Sequence, residues 1–388
     1  MKLFEKFNWF GYRRKNNKFG IRNYNIVLST VALTDRISQE ISEGFISVRS
    51  VVGGFNRGLQ KKDEKILNSF FKQVLSHPNV GSALIITHDN FSLDYFKKNF
   101  KIEIPHDYLS FMSCSGRDDA IKIGKRKVKE LLKSSILKKV KIPFSELILA
   151  LECGGSDVSS SICSNPLIGD FTDLLIKEGG TAIVSETAEF IGAEQIFDKR
   201  CKNKKIKQLI LEAIKNKENL MQLDSGKDYR GTNPTNENIE GGLTTLIEKS
   251  MGAVSKTGTT KFVSALNFGE IPKISGLHFM DTPFFSPISL TGMMMGGCTF
   301  CLFAMGVYNP SGNILCPTIK LCGNPNTLKF WSNDIDIDVS DYFLGVKKSE
   351  EMLEKMMMKI NLICNGNETV AETNLEGQFI LPRYEEVL

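Results

Sequence analysis

The sequence predicts an α/β protein of two domains, each with a mainly parallel sheet covered by helices. Three observations predict it. Between Tyr24 and Leu137, short apolar runs alternate with segments whose apolar residues recur at helical spacing, the β-α-β-α order of a parallel sheet. A charged break, Lys138-Lys139-Val140-Lys141-Ile142-Pro143, then stops a helix at its proline. After it, the apolar run Leu147–Leu151 opens a second such series. With 388 residues the chain can build two cores. The expected domains are residues 1–140 and 141–388.

The elements follow in order. Tyr24–Val31 alternates and then runs apolar, a first strand, and Thr34–Ser42 has helical spacing. Phe45–Val52 reads as a second strand. Lys61–Leu75 places Ile66, Phe70, Phe71, Val74 and Leu75 on one helix face, and His77-Pro78-Asn79 ends it. Gly81–Thr87 is a third strand and Asp118–Leu137 a long basic helix. In the second half, a helix near Phe171–Glu178 precedes a strand at Thr181–Ser185 and a charged helix from Gln195 to Met221. The polar stretch 225–240 is rich in Asn, Gly and Pro and reads as a long, functional type of loop. Met293–Met305 reads as a buried strand, with Cys298 and Cys301 on opposite faces. Ile360–Ala371 is the last helix with a turn.

Composition excludes several classes. Hydrophobic content is 41%, charged content 24% and net charge +5, with basic residues interleaved with acids. No stripe of Lys and Arg alternates with aromatics, so nucleic acid is not an expected partner. Nine cysteines lack a disulfide-scaffold spacing, and no signal peptide core or apolar span is present. The expectation is a reduced, cytoplasmic protein without a membrane partner.

The chemistry-bearing feature is Glu152-Cys153-Gly154-Gly155-Ser156-Asp157. It gathers a thiol, a hydroxyl and a carboxylate on a glycine-rich turn at a strand's carboxyl end, where open α/β sheets place their sites. The same turn with an inert buried thiol is the alternative. Around it stand Gly179–Glu194 (GGTAIVSETAEFIGAE), Gly241–Lys256 (GGLTTLIEKSMGAVSK) with Gly258-Thr259-Thr260, Gly276–Pro283 (GLHFMDTP), and Pro317-Thr318-Ile319-Lys320. Near the start stand Gly11-Tyr12-Arg13-Arg14 and Gly20-Ile21-Arg22-Asn23-Tyr24.

In this order these strings resemble the altronate/galactarate dehydratase family, which includes the large subunit of sulfolactate sulfo-lyase. The resemblance runs from Gly11 onward. It implies a lyase that removes water from a sugar acid or small hydroxy-carboxylate by β-elimination, with iron or manganese. Sulfite loss from sulfolactate is the rival reaction. A non-catalytic subunit with a degenerate metal site, holding no metal, is the reading from another class. The family's small SAF-type domain does not precede Gly11, so a separate subunit is its expected source. A homo-oligomer is expected.

β-Elimination needs a base, an acid and charge stabilisation at the enolate. The candidates are Glu186 as base, with Lys256 and Lys320 as catalytic cations. Ser156, Asp157, Thr259 and Asp281 are candidate substrate contacts. A helix-terminal carboxylate is the alternative for Glu186, a surface charge for each lysine, and a turn-forming role for Asp281. Lys249 reads as a surface charge. Asp334, Asp336 and Asp338 would share one face of a strand.

Departures from the family pattern cluster at its thiols. Where relatives carry His-x-x-Gly-Cys-Gly, this chain has Ser50-Val51-Val52-Gly53-Gly54-Phe55; where they carry Gly-Cys-Glu, it has Asp89-Asn90-Phe91; and Leu33 replaces a cysteine. The family's Arg-Gly-Ser is Val307-Tyr308-Asn309, and the basic residue before Gly241-Gly242 is lost. Cys153 alone survives among the family's ligand-like cysteines. With His88 and Asp89 it forms the candidate substitute metal set, because imidazole, carboxylate and thiolate all suit iron or zinc.

Overall fold

The computed structural model describes residues 6–54, 56–225, 230 and 233–388. The chain divides into two compact units. The first comprises Phe10–Lys141 with Gln378–Leu388, and the second the described part of Met1–Trp9 with Ile142–Gly377.

In the first unit, β1 (Phe10–Arg13) pairs antiparallel with β2 (Phe19–Gly20). A four-stranded parallel sheet follows, built from β3 (Tyr24–Ser29), β4 (Val48–Val51), β5 (Val80–Thr87) and β6 (His106–Ser110) in the order β4-β3-β5-β6. β7 (Val140–Lys141) returns to β1. β3 and β5 are buried along their whole length, so both faces are covered and the alternation of a half-exposed strand is lost. Val27, Leu84 and Ile86 pack with Ile37 and Ile41 from the helix Asp35–Ser42, and with Val128 and Leu131 from the helix Arg117–Ser134. The two N-terminal motifs serve this packing. Arg14 is buried and donates to Pro78 O (2.6 Å), Asn23 Oδ1 (2.7 Å) and Arg22 O (2.8 Å). A Cβ on Gly20 would lie 2.0 Å from the Pro78 carbonyl oxygen, so only glycine fits.

The second unit carries a seven-stranded, fully parallel sheet. Its strands are β8 (Ile148–Gly154), β9 (Thr181–Val184), β10 (Phe262–Leu266), β11 (Gly276–Met280), β12 (Phe300–Met305), β13 (Thr318–Cys322) and β14 (Ile337–Asp338). Their order is β10-β11-β9-β8-β12-β13-β14. β8 starts the series and ends up central. β9 lies on one side and β12 on the other, so the winding reverses beside β8 and leaves the crevice of a switch point. Trp9 is buried, edge-on to Phe144 and Phe300, and its carbonyl accepts from Ile142 N–H.

Several element boundaries differ from those expected. The second strand is Val48–Val51, because Phe45–Ser47 forms a turn into it. The helix expected near Phe171 spans Asn165–Lys177, with Pro166 at its start, where a missing N–H costs nothing. The single helix expected over Gln195–Met221 is broken at Cys201–Asn203, where Lys202 N–H bonds to Phe262 O and Cys201 bridges to the sheet. Met293–Met305 is the end of a helix (Ser286–Met295), a Gly296-Gly297 turn and then β12, so Cys298 stands outside the strand. The final long helix is Ser349–Cys364, with a short turn at Val370–Thr373. The three aspartates do not share a strand face. Asp336 accepts from Lys320 and Val370 N–H, Asp338 from Ser340, and Asp334 from Asn374. Of the loop expected over 225–240, residues 226–229 and 231–232 lie outside the described residues, and Asn236–Glu240 is helical.

Candidate active site

β8 delivers Glu152 and Cys153 to the switch-point end of the sheet, and the turn Gly154–Asp157 carries the chain across it. Gly155 has φ +62°, and a Cβ there would lie 2.3 Å from the Val307 carbonyl oxygen. The Gly155 carbonyl in turn accepts from Val307 N–H at 2.8 Å. Asp157 closes the turn. Its carboxylate accepts from Ser159 Oγ (2.7 Å), Ser160 N–H (2.8 Å) and Asn324 Nδ2 (2.6 Å). That carboxylate fills the space beside Gly306, where a Cβ would stand 2.0 Å from it. Gly306→Ala should therefore destabilise the protein by about 1–3 kcal/mol through overpacking. Thermal unfolding measures it, and an unchanged midpoint would show that the turn yields freely.

From Asp157 the backbone winds through a π-helical stretch, Ser160–Ser164, into the helix Asn165–Lys177. Such bulges re-aim side chains and recur at functional sites. Here they bring Asn165 Nδ2 to 3.4 Å from Cys153 Sγ, whose other neighbour is Ser156 Oγ at 3.3 Å. Burial, with the Glu189 charge, pushes the Cys153 thiol above its ordinary range, against the opposing pull of Lys256.

The next strand, β9, ends in Ser185-Glu186. Glu186 adopts φ 60° and ψ 69°, a left-handed conformation uncommon for glutamate, and it is 3% exposed. Its N–H donates to Thr282 Oγ1 (2.9 Å), while its Oε1 has no hydrogen-bond partner among the described residues. Strain and an unpartnered buried oxygen at one residue make Glu186 a candidate functional position. Burial raises the Glu186 carboxyl well above the usual range, helped by Glu152 and Glu189 and opposed by Lys256. One turn on, Glu189 forms a buried ion pair with Lys256, with side-chain exposures of 5% and 1%. Burial works against the Lys256 charge, but Glu189, Cys153 and Glu152 outweigh it and hold the ammonium above its ordinary value. Glu152 completes the group. It accepts from Ser289 Oγ at 2.5 Å, and burial with the Glu189 charge pushes it up to about 8.

Four further buried polar atoms lie unpartnered on the same segments: Ser161 Oγ, Ser164 Oγ, Asn165 Oδ1 and Ser185 Oγ. The helix Leu246–Val254 joins these segments. Its Gly252 sits against Ser161, and its Ser250 donates to Ile191 O at 2.6 Å. Lys249 on that helix is not a surface charge. Its Nζ donates to Asn233 Oδ1 and Asn238 Oδ1, both at 2.9 Å, and Asn238 Nδ2 donates to Ser156 O. Burial lowers the Lys249 ammonium, while Glu189, Cys153 and Glu186 oppose the shift. The second unit thus gathers three buried carboxyls, a thiol and two lysines at the ends of β8 and β9.

Other expected residues stand elsewhere. Lys320 is fully buried, pairs with Glu376, lies 4.9 Å from the Tyr308 ring centroid, and shares no hydrogen bond with the Lys256 group. Tyr308 donates to Glu376 Oε1 (2.5 Å) and stacks on Trp331. Thr259 and Thr260 hold the Asp173 carboxylate through both hydroxyls and both N–H groups, which closes a loop around Gly258. Asp281 accepts from Thr187 Oγ1 at 2.5 Å and so supports the Glu186 turn from β11. His88 and Asp89 belong to the first unit. Asp89 caps the helix Asn90–Asn99 through Ser92 N–H (2.7 Å), which lowers its carboxyl to about 2. The set Cys153, His88 and Asp89 is therefore divided between the two units. No group of three or more His, Cys, Asp or Glu among the described residues is arranged to hold a metal ion. Cys153 is hydrogen-bonded with Ser156 and Asn165 and stands in no such group.

Sequence reasoning missed Glu152, Glu189 and Ser289. Glu189 lies three residues after Glu186 on one helical turn, and Glu152 adjoins Cys153, so both signals were local.

A parallel α/β unit with buried acids and a paired lysine at its switch point offers groups that can move a proton and balance a negative charge. Comparison with known proteins names its family. The family described as D-galactarate/altronate dehydratase, C-terminal, matches residues 144–386, and the second domain of D-galactarate dehydratase/altronate hydrolase matches residues 11–135. The chain belongs to the D-galactarate/altronate dehydratase family. It is 29% identical over 378 residues to an altronate dehydratase of Escherichia coli, covering 94% of this chain and 75% of that protein. It is 28% identical over 378 residues to the (2R)-sulfolactate sulfo-lyase subunit beta of Chromohalobacter salexigens, covering 96% of each. An altronate dehydratase of Bacillus subtilis is 29% identical over 362 residues, covering 90% of this chain and 71% of that protein. No described helix is long and apolar enough to cross a membrane.

Proposed function

We propose that this chain is a hydro-lyase acting on a hydroxy-carboxylate with one acid group and several hydroxyls, an aldonate such as altronate. The observation that carries the reading is Glu186, a buried carboxyl with an unpartnered oxygen beside the Lys256–Glu189 pair. In the reaction, Glu186 takes the proton from the carbon next to the substrate carboxylate. The electron pair left behind forms the new carbon–carbon double bond. The neighbouring C–O bond breaks, and the departing hydroxyl takes a proton from Glu152 to leave as water. The enol then becomes a 2-keto-3-deoxy acid. Lys256 balances the charge that grows on the enolate. The unpartnered Ser161, Ser164 and Ser185 hydroxyls and the Asn165 carbonyl match a substrate rich in hydroxyls.

Two of the relatives are altronate dehydratases, which supports an aldonate over sulfolactate. The second reading, a sulfo-lyase large subunit working beside a SAF-type small subunit, is favoured by the match along 96% of both chains. The steps above use only this chain's own side chains. The test is turnover of altronate, galactarate and sulfolactate by protein purified without oxygen, alone and with a SAF-type subunit, together with iron and manganese analysis. Altronate turnover with substoichiometric iron is the expected result. Stoichiometric iron that disappears in Cys153→Ala would restore a family-type centre. No turnover of any of the three would leave a non-catalytic subunit.

A further inference from the structure

The first unit has a cavity of its own, and nothing in the reaction above uses it. It encloses about 330 Å³, within the range of small-molecule sites. It opens at the carboxyl ends of β3 and β5, between Thr30 and Ser92. β3 is the first strand of this sheet, with β4 on one side and β5 on the other, so this is the sheet's switch point, where open α/β sheets bind ligands.

The lining has two chemistries. One is aromatic: Phe91, Tyr95, Phe96 and Phe100 all line the cavity. Phe96 and Phe100 stack at 4.3 Å, while Phe91 is 86% exposed and covers nothing. The other is a single cation, Arg57, on the facing loop. Its Nη2 lies 3.3 Å from His88 Nδ1 and 3.6 Å from Asp89 Oδ2, at the start of the helix Asn90–Asn99. Its Nε and Nη1 make no contact among the described residues, and the side chain is half exposed. The remaining N–H groups of the guanidinium suit the oxygens of a carboxylate or phosphate. Glu64 also lines the cavity and would repel a second anionic group. The Arg57 loop is anchored. Arg383 Nη2 donates to Asn56 Oδ1 (3.1 Å), Leu388 N–H to Gly58 O (2.9 Å), and Gln60 Nε2 to Glu386 O (3.0 Å).

The geometry points to this cavity as a binding site for a small planar aromatic molecule with one anionic group, its ring against Phe91 and Tyr95 and its anion on Arg57.

Isothermal titration of the full chain tests this with adenosine 5′-monophosphate and indole-3-acetate as probes. Adenosine supplies a ring without the anion, and cyclohexanecarboxylate an anion without the flat ring. At least one aromatic anion should bind with Kd below about 1 mM, and both controls at least tenfold more weakly. Arg57→Gln and Phe91→Ala should each weaken that binding about tenfold or more, the size of a charge-assisted hydrogen bond or one ring stack. Both side chains are exposed, so the thermal midpoint should hold. Binding of neither probe, equal binding of a control, or binding unchanged in both variants would overturn the assignment.

Discussion

Glu186→Gln should lower kcat for the elimination by about 10²–10⁴ while the protein stays folded, the range for a lost general base. The amide keeps the volume and polarity of the side chain but cannot take a proton. Glu186→Asp should retain a measurable part of the rate, because aspartate tolerates the left-handed backbone better than most residues do. The pH profile carries the same assignment. A base works ionised, and burial and the neighbouring acids hold Glu186 protonated well above the usual glutamate range. Turnover should therefore rise through a region where an ordinary glutamate has already lost its proton. The Glu152 charge is among the causes that hold Glu186 protonated, so the two carboxyls titrate together and turnover should peak where one proton is shared between them. Kinetics with 2-deuterated substrate would separate proton abstraction from binding. A kcat unchanged in Glu186→Gln with only KM raised would make Glu186 a binding group.

Lys256→Met should destabilise the second unit by about 3–5 kcal/mol, the usual cost of leaving one buried charge without its partner. A fall of roughly 10 °C in the unfolding midpoint corresponds to that loss. The mechanism is specific. The substitution strands Glu189, which is 5% exposed along its side chain and has Glu152 and Glu186 for neighbours. Glu189→Gln placed in the Lys256→Met background should then recover part of the stability, because it removes the stranded charge. It should recover no turnover, since Lys256 also balances the enolate. If the double variant is less stable than the single, Glu189 is held by something other than Lys256.

Much of this fold was legible because parallel strands announce themselves. Tyr24–Ser29, Val80–Thr87 and Ile148–Gly154 are buried on both faces, so their apolar runs are continuous and stand out from a single sequence. What failed was continuity. The helix expected across Cys201 has good helical spacing on both sides of it, yet a backbone bond from Lys202 to Phe262 breaks it, and such long-range bonds leave no local trace. Cys298 was assigned to a strand because Met293–Met305 is apolar throughout, and a buried helix end followed by a strand has the same pattern. At the site, Cys153 and Glu186 were visible from glycine-rich strand ends. Lys249 reads as a surface charge because no residue near it in sequence announces a partner. Only the fold reveals that Asn233 and Asn238 receive its ammonium. Lys320 misled in the opposite way, since its partner Glu376 follows more than fifty residues later.

The grouping of residues 378–388 with the first unit sets an order on biosynthesis. Phe379 packs on Phe70 at 5.5 Å, and Asp63 accepts from the N–H groups of Tyr384 and Glu385. The ribosome makes Phe10–Lys141 early, yet these contacts wait until all of Ile142–Gly377 has been translated and the last segment has left the exit tunnel. The nascent first unit must therefore persist with the loop around Arg57 unanchored, its Asn56 and Gly58 still lacking their bonds to Arg383 and Leu388. A ligand that settles in the aromatic cavity during that interval would hold the loop before its own anchor arrives.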